Sequence, residues 1–99
     1  MISVDNLDLV RWREMDSLNV LRLLAEHIKE DPSFHPRSSH LTTRWHAHAA
    51  GHDWEFLCTG PKFWDVRMDR GGGGAVDLAM QIYGLKFKAA AKLLKVRGM

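Results

Sequence analysis

Apolar and polar positions along the chain divide it into helix, then sheet, then helix. Leu18, Leu21, Leu24, Ala25 and Ile28 recur at three- and four-residue spacing. That spacing predicts a helix over residues 17–29 with a single apolar stripe, and Asp16 or Ser17 can serve as its N-cap. Asp31-Pro32 ends it, because a residue before proline is pushed out of the helical region. Ahead of this helix, residues 7–13 read as a short helix or an extended arm, with Leu9, Val10 and Trp12 seeking cover. Residues 30–40 hold two prolines and three serines and read as loop.

At residue 41 the period shortens to two. Leu41, Thr43, Trp45 and Ala47 alternate with Thr42, Arg44, His46 and His48, as in a half-buried strand over residues 41–48. Gly51 marks a turn, residues 54–58 form an aromatic-rich second strand, Thr59-Gly60-Pro61 marks another turn, and residues 62–68 form a third strand. Three strands with short connections make an antiparallel meander. Helical spacing then returns. Val76, Ala79, Met80 and Tyr83 share a face of a helix that Gly84 ends as a left-handed C-cap. Phe87, Ala90, Ala91 and Leu94 form the buried stripe of a last helix, whose Lys88, Lys92 and Lys95 face water. The expected fold is α+β: one domain over residues 1–99, with a small three-stranded antiparallel sheet, an N-terminal helix and two C-terminal helices.

Composition narrows the class. With 99 residues, 45% of them apolar, the chain suits one small domain. The single cysteine, Cys58, excludes an intramolecular disulfide and a four-thiolate metal site. No apolar run approaches the roughly 20 residues needed to cross a bilayer, and the first residues lack the order of a secretory signal. A cytoplasmic protein is expected. Charge is uneven: residues 1–60 carry six Lys/Arg against nine Asp/Glu, and residues 61–99 carry eight against three. A basic half beside an acidic half favours a polyanionic partner on one side of the molecule, whereas the plainer reading is a solvated helix face.

Little in the sequence points to catalysis. Six histidines allow a triad to be drawn, but no spacing supports one, and no paired acidic motif suits two-metal chemistry. His46 and His48 would project from one face of a strand, a weak two-ligand metal site at best. Cys58 reads as a small buried hydrophobe. Asp77 falls in the first turn of its helix, where a carboxylate meets the helix dipole and nearby amides. The run Gly71, Gly72, Gly73 and Gly74 stands between a strand and a helix. It is neither a Walker loop nor a dinucleotide fingerprint. It suits a tight strand-to-helix reversal with close packing, or an anion site at the helix start.

Flanking residues are more specific. Gly60-Pro61-Lys62-Phe63-Trp64-Asp65, the glycine run, Ala75-Val76-Asp77-Leu78-Ala79-Met80 and then Tyr83-Gly84-Leu85-Lys86-Phe87 resemble the zinc-binding domain of bacterial DNA primases. The likeness covers about residues 41–96 and is closer to degenerate versions found ahead of toprim catalytic domains in plasmids and integrative elements. Residues 1–40 fit it only loosely. Aligned on Asp77, the family's aromatic–aromatic–His falls on Phe63-Trp64-Asp65. Its second ligand pair falls on Val66 and Asp69, and its first near His46 and His48, with no cysteine at any of them. The resemblance therefore implies a zinc-ribbon-like fold without zinc, the metal replaced by packing of Trp45, Trp54, Phe56 and Trp64. No cofactor is expected.

The resemblance also implies a non-catalytic module that contacts single-stranded or template DNA in plasmid or mobile-element replication. Single strands are held by cations along the backbone and aromatic faces under the bases. With Trp64 and Val66 facing inward, the open face of the sheet would present Phe63, Asp65 and Arg67, joined by Arg44, His46 and His48 and extended by Lys62, Arg70 and Lys86. Phe63 buried under the N-terminal helix is the competing placement. The competing function is a protein-interaction module docking onto a replication or conjugation enzyme. An open sheet face that is aromatic and basic favours DNA, and one that is apolar without clustered Arg or Lys favours a protein.

Overall fold

A computed structural model describes residues 3–37 and 39–99. The chain is α+β, but the sheet has five strands rather than three and the helices number four rather than three among the described residues. Two helices come first, α1 (Asn6–Glu14) and α2 (Ser17–Leu24). The strands β1 (His27–Glu30), β2 (Thr43–Ala49), β3 (His52–Thr59), β4 (Lys62–Asp65) and β5 (Arg70–Gly73) follow, then α3 (Ala75–Tyr83) and α4 (Phe87–Val96). All neighbouring strands are antiparallel, in the order of the sequence.

Both extra strands arise where local pattern and long-range pairing compete. The expected helix over 17–29 stops at Leu24, with Ala25 already extended at ψ 150°. Ile28 fits the helical stripe, yet it fits equally well opposite Ala47 on the covered face of the sheet. Pairing wins because β2 would otherwise leave a row of backbone groups unsatisfied. At the other edge, the expected third strand ends at Asp65 rather than at residue 68, and residues 70–73 return beside it as β5. Three glycines have poor strand propensity, which is why this segment reads as a turn. Rings hold it in place: a Cβ on Gly71 would lie 2.7 Å from Trp64 Cε3, and one on Gly72 would lie 2.9 Å from Phe63 Cζ.

The helices cover one face of the sheet. Trp45, Ala47, Ala49, Phe56, Cys58 and Phe63 point into a core closed by Trp12, Val20, Leu21, Leu24, Leu78, Ala79, Ile82 and Leu94. Phe56 stacks on Trp54 at 5.8 Å and meets Phe63 edge-on at 5.9 Å. Phe87, expected in the buried stripe of the last helix, is 50% exposed. The helices are tied to one another and to the sheet by polar contacts. Tyr83 Oη donates to the Leu24 carbonyl at 2.8 Å, and Ser17 N–H to the Gly60 carbonyl at 2.7 Å. Asp5 and Asp8 cap α1 reciprocally. The Asp8 carboxylate also accepts from Lys95 Nζ at 2.8 Å, which lowers its pKa.

Asp65 is fully buried and its carboxylate has both oxygens engaged. Oδ1 accepts from the Arg67 and Met68 amides at 3.1 and 3.0 Å, and Oδ2 accepts from Gln81 Nε2 at 2.8 Å. One side chain thus fixes the β4–β5 turn and ties it to α3. Asp65→Ala would leave those donors without a partner and is expected to cost about 2–4 kcal/mol in denaturant unfolding. Gly74 has φ +88°, and a Cβ there would lie 2.9 Å from Arg13 Cα. Gly74→Ala is therefore expected to lower the melting temperature, and Gly73→Ala, whose Cβ meets nothing within 4 Å, is not.

Candidate nucleic-acid interface

The expected contact residues do not assemble on one surface. Strand register decides their placement. Cys58 stands opposite Phe63 and Phe56 opposite Asp65, so Phe63 and Asp65 face the helices while Lys62 and Trp64 face outward. The assumed orientation of this strand is reversed. Phe63 is only 6% exposed and belongs to the core, and Trp64, at 41%, is the aromatic residue on the open face. A shift of one residue exchanges the two faces of a strand.

Arg44 and His46 do lie on the open face, as does His48, but a carboxylate holds each of them. Arg44 Nε is 3.3 Å from Glu55 Oε2 and 3.8 Å from Asp31 Oδ2. His46 Nδ1 is 2.9 Å from Glu55 Oε1, and His48 Nδ1 is 3.0 Å from Asp53 Oδ1. The hydrogen bond to Asp53 raises the pKa of His48, and the same contact lowers that of Asp53. The remainder of this face is His27, Lys29, Leu57, Thr59, Trp64 and the bare glycines, with Lys29 and Lys62 as cations in no ion pair among the described residues. It is apolar and charge-balanced rather than aromatic and basic.

Arg67 and Arg70 sit elsewhere, on the β4–β5 turn at the edge of the covered face. There, Trp54, Met68, Met80, Gln81 and Gly84 line a cleft of about 390 Å³ whose polar groups are His52, Asp53, Asp65, Arg67 and Arg70. Arg67 Nη1 donates to the Asp53 carbonyl at 3.4 Å, which joins the turn to the start of β3. Neither arginine has a carboxylate within 4 Å among the described residues. A second hollow adjoins the cleft along β5 and α3, lined by Arg70, Gly84 and Leu85. Lys86, the exposed residue next in the chain, is the N-cap of α4. The seven expected contacts thus separate into Arg44, His46 and Lys62 on the open face, Arg67, Arg70 and Lys86 toward this edge, and Phe63 in the core.

Trp54, Met68 and Met80 were not among the expected contacts. Trp54 carries a usable signal, since its alternation with Phe56 and Cys58 marks a covered strand face on which the first residue reaches the sheet's end. Nothing in the sequence marks Met68 and Met80 as neighbours.

The residues do not fit the zinc of the primase-like pattern. Among the described residues no group of three or more His, Cys, Asp or Glu side chains could hold a metal ion. Asp65 is spent on the turn, Val66 offers no ligand, and His46 and His48 bond to carboxylates on the opposite face. Cys58 is buried, and desolvation pushes its thiol up to about 11, so it is an inert thiol rather than a nucleophile or ligand. Asp77 Oδ2 accepts the Gly73 amide at 3.1 Å, a structural bond across the start of α3. No helix among the described residues is long and apolar enough to cross a membrane. Neither the family models, nor the curated proteins, nor the solved structures yield a match.

The His48–Asp53 contact has a defined pH dependence. The raised His48 pKa means that the contact's stabilisation is complete below the ordinary histidine value of 6.5 and is lost as pH rises through the folded value. At the acid end, the lowered Asp53 pKa contributes above 3.8 and that contribution is lost as pH falls through its folded value. A ring-proton NMR titration is expected to place His48 above 6.5, and Asp53→Asn to bring it back down.

Proposed function

We propose that the chain is a non-catalytic nucleic-acid-binding accessory module of a primase-like protein, a zinc-free relative of the primase zinc-binding domain. It engages single-stranded or template DNA in plasmid or mobile-element replication, in the cytoplasm. The observation that carries this function is the edge cleft: two arginines without carboxylate partners stand on the rim of a hollow lined by Trp54, Met68 and Met80. Cations bind the phosphate backbone and release counterions, and a recess lined by an indole and thioethers receives an unstacked base. A continuous duplex offers no such base. The open face of the sheet contributes less to this contact, since Glu55 and Asp53 hold Arg44, His46 and His48 there.

A second reading, docking onto a replication or conjugation protein, is favoured by one observation. Trp64 and Leu57 are adjacent on the open face beside strand β5, which carries no side chain beyond Arg70.

Fluorescence anisotropy with labelled single-stranded and duplex DNA tests the first. Single strands are expected to bind more tightly, with affinity falling as salt rises. Arg67→Ala together with Arg70→Ala is expected to weaken binding by about tenfold or more and to flatten the salt dependence by about one to two contacts. Arg44→Gln and His46→Gln are expected to change affinity less than about twofold. Absence of binding at low salt, or loss through Arg44 and His46 instead, contradicts the proposal.

A further inference from the structure

The edge cleft does not end at Gly84. Arg70, Met80, Gln81 and Gly84 line both the cleft and the hollow that adjoins it. That hollow meets a third, of about 370 Å³, at Asp77, which lines both. The third lies where α1 ends and α3 and α4 begin, and Leu9, Arg13, Val76 and Phe87 line it. The three hollows make one furrow along β5 on the side of α3. Phe87 stands at its far end with the ring half exposed, although the other members of its stripe, Ala90, Ala91 and Leu94, are buried. Arg13 is exposed there and has no carboxylate within 4 Å among the described residues. Lys86, next to Phe87, is exposed and equally without an ion pair. The far end thus repeats the chemistry of the cleft, an aromatic ring in an apolar hollow with unpaired cations on its rim. Between the two ends β5 carries no side chain after Arg70, so that wall is backbone alone. The opposing charge midway is Asp77, an exposed carboxylate that accepts the Gly73 amide.

We propose that a single strand engaged at the edge cleft continues along β5 and sets a second unstacked base against Phe87, with Arg13 and Lys86 on its phosphates. The track rests on the reading of the cleft as a single-strand site and extends it. Charge complementarity names the occupant: cations in no ion pair stand at both ends of the furrow, as a chain of regularly spaced phosphates requires. A ring at each end supplies the other element that holds single strands without regard to sequence. The lengths agree as well. The four residues of β5 span about 13 Å, roughly the length of four stacked nucleotides. One strand therefore reaches both rings, and the half exposure of Phe87 has a purpose. Asp77 opposes the phosphates that pass it, so removing its charge strengthens the contact.

Anisotropy titrations at low salt with labelled oligothymidylates of about three and about eight nucleotides test the track. The shorter fills the cleft alone, and the longer spans the furrow. The longer is expected to bind at least tenfold more tightly, more than its extra registers supply, and with a steeper salt dependence. Phe87→Ala is expected to weaken the longer about fivefold or more and to leave the shorter unchanged. Arg13→Gln is expected to flatten the salt dependence of the longer by about one contact, and it decides the matter if Phe87→Ala melts early. Asp77→Asn, which keeps an acceptor for the Gly73 amide, is expected to tighten the longer severalfold and not the shorter. If Arg67→Ala with Arg70→Ala weakens both lengths while Phe87→Ala and Arg13→Gln change neither, the strand stops at the cleft. The track is then overturned and the cleft reading stands. Binding of neither length removes both.

Discussion

The placement of Asp65 decides how the remainder of the molecule is arranged. A carboxylate is costly to bury unless its oxygens are bonded, and here two turn amides and the Gln81 side chain bond them. With Asp65 inward, Phe63 must also face inward, against Phe56, and Lys62 and Trp64 must face outward. The turn that Asp65 nucleates brings β5 back along β4, sets the direction of α3, and lifts Arg67 and Arg70 to the rim of the edge cleft. One buried side chain therefore determines which face of the sheet is closed, which aromatic ring is exposed and where the unpaired cations stand.

Here a carboxylate holds the turn by hydrogen bonds, and Arg67 reaches across to the Asp53 carbonyl. The two hairpin ends are thus joined by hydrogen bonds among protein groups. Aromatic packing contributes beside them, through the Trp54–Phe56 stack and the edge-on Phe63 ring. Of the four rings expected to fill the core, Trp45 and Phe56 are buried, Trp54 is half-buried at the cleft and Trp64 is outside.

Much of the chain was legible because local and long-range preferences agree. The helices Ala75–Tyr83 and Phe87–Val96 have strong spacing and a left-handed glycine between them, and the alternation around Trp45 and Phe56 fixes two strands. Residues 25–30 are ambiguous in sequence because Ile28 satisfies both a helical stripe and a strand face, and only the unpaired edge of β2 separates the two. Residues 70–73 do not announce a strand because glycines carry no strand preference of their own. The orientation of β4 needed the register of β3: Cys58 opposite Phe63 settles it, whereas the four residues of β4 alone do not. The cleft gathers Trp54, Met68 and Met80 from three separate elements, and no spacing rule brings such residues together.

Backbone amide NMR with a short single-stranded oligonucleotide tests the central claim most directly. Engagement at the edge predicts shifts concentrated at Trp54, Arg67, Met68, Arg70 and Gly84, with Arg44, His46 and Leu57 little changed. Shifts concentrated on the open face, or none at saturating oligonucleotide, would contradict it.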